Sequence, residues 1–315
     1  MAENGENWER GVIEKLATEA LKEQRRGRRW GIFFKLLTFA YLAVVLVMAM
    51  GWRVDGDPMS SGKHTALVDI AGVIAARGDA SAERVTSALQ AAFKDKNTQG
   101  VILRINSPGG SPVQAGIIYD EIRRLRLANP SIPMYAVVED ICASGGYYIA
   151  AAADRIYVDK ASIVGSIGVI MDGWGFTGVM QKLGVERRVL AAGENKAFLD
   201  PFSPLEENHK KHAQTLLADI HAQFIDVVRK GRGTRLKETP DMFSGLIWTG
   251  ATSVEVGLAD GLGSLEWVAR EVVKAEQIVD FTEKQNLAER FARRFGAVLA
   301  ESLSGVLVSS QFGLR

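Results

Sequence analysis

The chain has 315 residues, with 38 Lys and Arg against 37 Asp and Glu, and a single cysteine. A net charge of +1 excludes a general electrostatic case for a nucleic-acid partner. The lone Cys142 excludes an internal disulfide, so the fold has to rest on an apolar core, which a chain of this length can build.

The charge is balanced overall but not locally. Residues 1–30 form a leader ending in the strongly basic KEQRRGRRW (22–30). It runs directly into GIFFKLLTFAYLAVVLVMAMGW (31–52), which has no charged residue from Leu36 to Trp52. About 20 apolar residues span a bilayer as a helix. Lys35 sits near one end, where its ammonium can reach the headgroups. Residues 31–52 are therefore expected to be a single transmembrane anchor of the inner (cytoplasmic) membrane. The arginines before it keep the N-terminus cytoplasmic and place the rest of the chain in the periplasm or its extracytoplasmic equivalent. A cleaved signal peptide fits poorly, because no small-x-small site follows the apolar run. A core helix fits poorly too, because residues 53–64 read as a linker, with DGDPMSSGKH (55–64) rich in turn formers.

The exported part alternates. HTALVDIAGVIA (64–75) reads as a buried strand, and SAERVTSALQAAFKD (81–95) as a helix opening on half a capping box. GVILRINSPGG (100–110) reads as a strand running into a glycine turn. Residues 111–127 form a helix with Ser111 at the N-cap and Pro112 at the first position. Strands follow at 133–140 and 155–159, with the serine segment CASGGYYIAAAAD (142–154) between them as a helix. A further strand is expected at 185–193. A long helix at 203–232 opens on the capping box Ser203-Pro204-x-Glu206, and TGATSVEVGLADGLGS (249–264) reads as a short helix and a turn. Residues 266–279 and 283–305 are expected to be helical, the latter amphipathic. Strand and helix in this rhythm indicate an α/β layer fold with parallel pairing.

Three stretches bear on chemistry. In INSPGG (105–110), a strand ending in Gly109 and Gly110 either makes a type II turn or aims backbone amides at a developing oxyanion. Ser144 either caps the helix that follows it or acts as a nucleophile at a positive helix end, with the Gly145 amide beside it. A nucleophilic serine needs a base. His64 falls in the linker, and His209, His212 and His221 lie on the long helix, where they read as solvated positions. They form no His-Glu-x-x-His pattern, so no metal site is expected, and a Ser-His-Asp triad has little support. Lys196, in AAGENKAFLDPFSP (191–204), is either a surface lysine or a base entering a cleft from a loop.

Taken together and in order, INSPGG, CASGGYYIAAAAD, GSIGVI (165–170), GENKAFLDPFSPLEE and TGATSVEVGLADGLG resemble the signal peptide peptidase A (protease IV) family, short single-repeat form. The resemblance runs from about residue 66 to 265. It implies a ClpP/crotonase-like β-superhelix of βαβ units over 65–282, with 283–315 as a C-terminal helix and tail outside the match. It implies a serine peptidase with a Ser144–Lys196 dyad and an oxyanion hole of Gly110 and Gly145. Gly109 is then a supporting residue, as is Ser166 through a hydrogen bond to the lysine. No cofactor is implied. The substrates implied are short apolar peptides, above all remnants of cleaved signal peptides, met at the surface of membrane lipid. The short form also implies a homo-oligomeric ring of eight, with serine and lysine drawn from neighbouring subunits, so that a monomer is inactive. Ser253 departs from the alanine common at its position. Two rivals are a crotonase-like acyl-CoA enzyme, disfavoured by the exported location, and a non-catalytic membrane scaffold on the same fold. Cys142 is read as a buried small residue rather than a redox modulator of Ser144.

Overall fold

The computed structural model describes residues 3–49 and 62–283, and among residues 3–49 it describes side chains only at 18, 19 and 22–45. The chain divides into two units; the first contains helix α1 (Glu3–Ala49), and residues 58–284 make up the second. Helix α1 runs without a break through the basic leader into the apolar segment. Its apolar side chains are exposed all round, among them Phe33, Phe34, Leu36, Leu37, Phe39 and Leu42. Among the described residues no helix is long and apolar enough to cross a membrane. The apolar segment continues to Trp52, and residues 50–52 lie outside the described residues, as do most of the expected linker and the expected C-terminal helix.

In the second unit, strands β1 (His64–Ala71), β2 (Thr98–Ser107) and β3 (Met134–Ala143) form the centre of a parallel sheet. Helices α2 (Ala82–Lys94) and α3 (Pro112–Ala128) make the crossovers. Strand β3 forks. Its first half pairs with β4 (Arg155–Val158) and its last residues pair with β5 (Ile163–Gly165). Strand β6 (Ile247–Thr249) joins β5 antiparallel, β7 (Gly261–Leu262) joins β4, and β8 (Ile278–Asp280) closes the far edge on β1. The result is a mixed α/β fold.

The strands read as continuous apolar runs because both faces are covered. Alternate residues divide between the two sides. Ala66, Val68, Ile70, Leu103 and Ile105 face the core under α2 and α3. Leu67, Ile102, Val137 and Tyr157 face a second cluster completed by Val268, Ala269 and Val273. Helix α2 buries Val85, Ala88, Leu89, Ala92 and Phe93, the i, i+3, i+4 stripe of an amphipathic helix. Ser111 accepts from the Gln114 amide at the start of α3, with Pro112 at its first position, as the sequence indicates.

Five expectations need correction. Residues 185–193 are not a strand, because no described strand lies beside them to pair their amides, and Val185, Val189 and Leu190 are exposed. The capping box at 203 does not form: Ser203 donates to the Asp200 carboxylate (2.6 Å), and α6 (Glu207–Arg232) starts after Glu206 with no side-chain cap. The helix expected at 266–279 is short. After α8 (Leu265–Trp267) a π-helical turn, Val268–Val273, ends at Lys274 in the left-handed region, and Ile278–Asp280 is drawn into the sheet edge as β8. His64 is not in a linker; it begins β1, fully buried and stacked on Phe281. His209 is not solvated, being 8% exposed against Phe198. Ser253 is also fully buried, but its hydroxyl donates to the Gly250 carbonyl (2.7 Å) within α7 (Gly250–Glu255), so the departure from alanine leaves no unsatisfied group.

Candidate active site

Strand β3 ends at Ala143, and helix α4 (Gly145–Ala150) begins two residues later, with Ser144 at the corner. Ser144 has φ 51° and ψ −122°, a conformation that L-residues rarely adopt. Such a backbone costs about 1–3 kcal/mol and persists only where the surroundings enforce it. Here they do. The Ser144 amide donates to the Gly165 carbonyl on β5 (2.8 Å), and its carbonyl accepts from Tyr148 (2.9 Å). Tyr147, fully buried, ties α4 to the Leu258 carbonyl (2.7 Å). The Ser144 hydroxyl makes no capping bond, so the plain N-cap reading fails.

The glycine turn packs directly on this corner. Gly109 has φ 99°, and a Cβ there would stand 2.7 Å from the Ser144 Cβ and 2.8 Å from the Gly145 nitrogen. Gly110 has φ 149°, and a Cβ there would stand 2.2 Å from the Ile74 carbonyl oxygen. Ile74 bonds to the residues on either side: its amide donates to Gly109 (2.9 Å) and its carbonyl accepts from Ser111 (2.8 Å). In such a parallel bridge the middle residue turns its own N–H away from its partner, here Ile74, and Gly110 lines the same cleft as Ser144. The Gly145 amide is among the free donors of a helix start. A Cβ on Gly145 would stand 3.4 Å from the Gly110 nitrogen, so the two amides border one small volume beside Ser144. Ser107, which the sequence reading passed over inside INSPGG, pins the turn. It donates to the Gly72 carbonyl (2.6 Å) and accepts from the Gly109 amide (3.1 Å).

Ser144, Gly110, Gly145 and Ser166 line one cleft of about 600 Å³. Ser166 also has positive φ, 52°, and its amide donates to Leu246 (2.7 Å). Tyr148, Ile170, Ile220, Phe224 and Phe243 give the cleft apolar walls. Among the described residues no Lys, Arg, Asp or Glu lines it. It holds two titratable rings, the Tyr148 phenol and His221 on α6, whose Nε2–H donates to the Ile167 carbonyl (3.2 Å). The sequence reading placed His221 in solvent. Its neighbours Ile220 and Phe224, on the buried side of α6, were the signal that it faces inward.

Lys196 is elsewhere. It is exposed, in a turn whose Lys196 amide donates to the Gly193 carbonyl (3.0 Å), and it does not line the serine cleft. The neighbouring Glu194 and Ala197 border a separate cavity against the start of α6. Within one chain the structure therefore brings together Ser144, Gly109, Gly110, Gly145 and Ser166, and leaves Lys196 apart from them. Cys142 is fully buried, and burial pushes its thiol well above the usual range, which removes a redox partner for Ser144. Among the described residues no cluster could hold a metal ion.

Residues 126–279 match the profile of peptidase family S49. A provisionally named signal peptide peptidase SppA of Enterococcus faecium is 30% identical over 231 residues, 71% of this chain and 67% of that protein. The chloroplast serine protease SPPA of Arabidopsis thaliana is 28% identical over 230 residues, 71% of this chain and 32% of that protein. A protein of Brucella abortus named as a sodium/proton antiporter, NhaA, is 48% identical over 183 residues, 58% of this chain. The match spans only about a quarter of that antiporter's length (25%).

Proposed function

We propose, from the premise that this chain belongs to peptidase family S49, the family of the SppA serine proteases, that it hydrolyses peptide bonds with Ser144 as nucleophile and Lys196 as general base. The observation that carries the reading is the strained Ser144 corner, with Gly110 and Gly145 close together in the lining of the same cleft. Neutral Lys196 takes the Ser144 proton, and Oγ attacks the substrate carbonyl. The oxyanion lies between the two amides, where preorganised donors need no rearrangement. Lys196 then protonates the leaving amine, and it activates the water that releases the acyl group.

The lysine comes from a neighbouring copy of the chain in this reading. Two features support that: Lys196 is exposed outside the cleft, and the cleft has no carboxylate or lysine of its own. The surface from 170 to 205 also exposes Ile170, Trp174, Leu183, Leu190 and Leu205, far more apolar surface than a lone chain needs. A ring of eight fits this arrangement. The fork of β3, which pairs with β4 in its first half and with β5 at its end, supports a ClpP/crotonase-like superhelix. Apolar walls suit short, extended apolar peptides, with signal-peptide remnants as the substrates.

Residues 31–52 are assigned as a membrane anchor in the inner membrane, with the N-terminus cytoplasmic and the catalytic part outside. A helix apolar on all sides is stable only in a core or a bilayer. Residues 30–45 expose apolar side chains all round, and the sequence stays uncharged to Trp52.

The test is hydrolysis of a fluorogenic apolar peptide by the full chain in detergent. Wild type should be active and Ser144→Ala dead. Activity that survives Ser144→Ala overturns the peptidase reading. Activity that survives Lys196→Ala removes the lysine base and leaves His221, the imidazole that lines the cleft, as the replacement to test.

A further inference from the structure

A lysine on four rotatable bonds is useful as a base only if its backbone is held still. The Lys196 turn cannot do this alone. Its own ties are local: Lys196 to Gly193 (3.0 Å), Phe198 to Asn195 (3.1 Å) and Asp200 to Ala197 (3.1 Å). Two side-chain ties reach beyond it. At its end, Asp200 takes Arg187 (2.7 Å) and Ser203. Next to the lysine, the Asn195 carboxamide oxygen takes the His209 ring nitrogen Nε2 (3.2 Å).

His209 is unusual for a residue at the opening of an exposed helix. It is 8% exposed, and its ring stands edge-on to Phe198 at 5.3 Å. Phe198 holds a second ring, His212, at 5.6 Å. The imidazole is thus gripped by the same turn it bonds to, through Asn195 one residue before Lys196 and Phe198 two residues after it. Packing alone would be served by an apolar ring; imidazole adds a donor. The ring nitrogen that faces the carboxamide oxygen is the donor of this bond, because that oxygen can only accept. The other end of α6 is fixed deep in the core, where Arg232, 1% exposed, bonds to Asp260 (2.7 Å) and to the Gly257 carbonyl (2.8 Å). Helix α6 is therefore anchored at its C-terminus and holds the lysine turn at its N-terminus.

We propose that His209 is a positioning residue for Lys196, acting through Asn195 to fix the turn that presents the lysine to the nucleophile. The inference rests on the reading of Lys196 as the base.

The test compares Asn195→Ala, His209→Ala, His209→Gln, the Asn195→Ala/His209→Ala double variant and Lys196→Ala, all as full chains in detergent. Initial rates on the fluorogenic apolar peptide and melting temperatures are the readouts. Loss of the clamp should lower kcat roughly 10- to 100-fold, with KM held within about twofold, because misplacement of a reacting group costs rate rather than uniform binding. The double variant should be no slower than the slower single one within about threefold, since both remove the same bond. His209→Gln, which keeps an N–H donor, should recover at least about a third of the lost kcat. Asn195 is exposed, so Asn195→Ala should melt with wild type and still lose rate; this guards against a His209→Ala variant that fails to fold. Wild-type kcat in Asn195→Ala, with Lys196→Ala dead, overturns the clamp and leaves the base standing. Multiplicative losses in the double variant overturn it too. Activity in Lys196→Ala removes the base itself, and the clamp with it.

Discussion

The serine half and the lysine half of the proposed site are built in opposite ways. Ser144 sits where a buried strand meets a buried helix, with Gly145, Gly146 and Tyr147 each removed from solvent. Every backbone direction around it is enforced by a neighbouring strand or turn. Lys196 sits on the segment between β5 and α6, where every side chain from 170 to 176 and from 181 to 196 is exposed. The first half is complete within one chain. The second holds its shape through local turns and a few side-chain ties, and it presents apolar surface that no described residue covers. Strain in a nucleophile can be stored only where packing over-determines it. On the proposed shared site, a lysine that reaches into another copy has to stand proud of its own.

The largest test of this contrast is complementation. Ser144→Ala and Lys196→Ala should each lose roughly 10³-fold or more in kcat. When the two inactive chains are mixed and allowed to reassemble, activity should return, because some neighbours then pair an intact serine with an intact lysine. No recovery, in mixtures shown by crosslinking to contain both chains, would mean that both residues act within one chain. The segment from 170 to 206 would then have to fold over the cleft.

The next test sets a buried ion pair against an exposed one. Asp260 lies in the core half, bonded to Arg232 (2.7 Å), Arg235 (3.0 Å) and the Ile156 amide (2.7 Å). Burial pushes its carboxyl up, but the Arg232 bond and charge, the Ile156 amide and Arg235 together outweigh this and hold it below the usual range. Its folded pKa thus lies below the unfolded value of about 3.9. The stability it contributes is complete above that unfolded value and is lost as pH falls through the folded one. Wild type should therefore lose stability on acidification below about pH 4, with a slope that Asp260→Ala removes. At pH 7, Asp260→Ala should cost about 3–5 kcal/mol, because it strands a buried guanidinium. Glu186→Ala, which breaks the exposed pair with Arg188 in the lysine half, should cost less than about 0.5 kcal/mol in the same urea titration.

Glycine replacements sharpen the comparison further. Gly110→Ala drives a Cβ to 2.2 Å from the Ile74 oxygen at positive φ. It should destabilise by about 3 kcal/mol and lower kcat in whatever remains folded, since the Gly110 amide moves with the turn. Gly178, on the short helix α5 (Thr177–Lys182), has nothing within 4 Å of its missing Cβ. Gly178→Ala should be neutral or stabilise by up to about 1 kcal/mol. Equal losses from the two would contradict the division of the molecule into an over-determined half and a permissive one.

The same division decided what was legible in the sequence. Periodicity located β1, α2, β2, α3, β3 and β4, because each buries a stripe or a face against its chain neighbours. The Ser144 corner and the SPGG turn were legible as residues able to do chemistry, though not as groups in contact. Their meeting depends on Ile74 bridging to Gly110, a long-range pairing that no local pattern reports. The misreadings cluster in the lysine half and at the sheet edges. VERRVLAAG carries β-branched residues in a strand-like pattern, but strand formation requires a partner and no described strand is beside it. The Ser203 box failed because the helix starts only after Glu206, three residues beyond Ser203, whose hydroxyl turns back to donate to Asp200. His64, His209 and His221 were placed in solvent or a linker because a histidine in an amphipathic pattern carries no sign of which way it faces; Phe281, Phe198 and the Ile167 carbonyl decide it.

The smallest expected effect gives the most direct reading of the contrast. Cys142 is two residues from Ser144 and fully buried, with its thiol pushed up by burial, so almost no thiolate exists at neutral pH. A thiol reagent should reach it only when the serine half opens. Labelling should then follow the same urea dependence as global unfolding and leave the native protein unmodified over hours. Limited proteolysis of the same sample should cut first between residues 185 and 192, where the chain is exposed and pairs with no strand. Cleavage there should leave Cys142 unlabelled, because that segment contributes no side chain to the core around β3. If labelling instead rises in step with cleavage, the two halves open as one unit. The rigidity of the serine corner would then depend on the lysine segment rather than on the sheet beneath it.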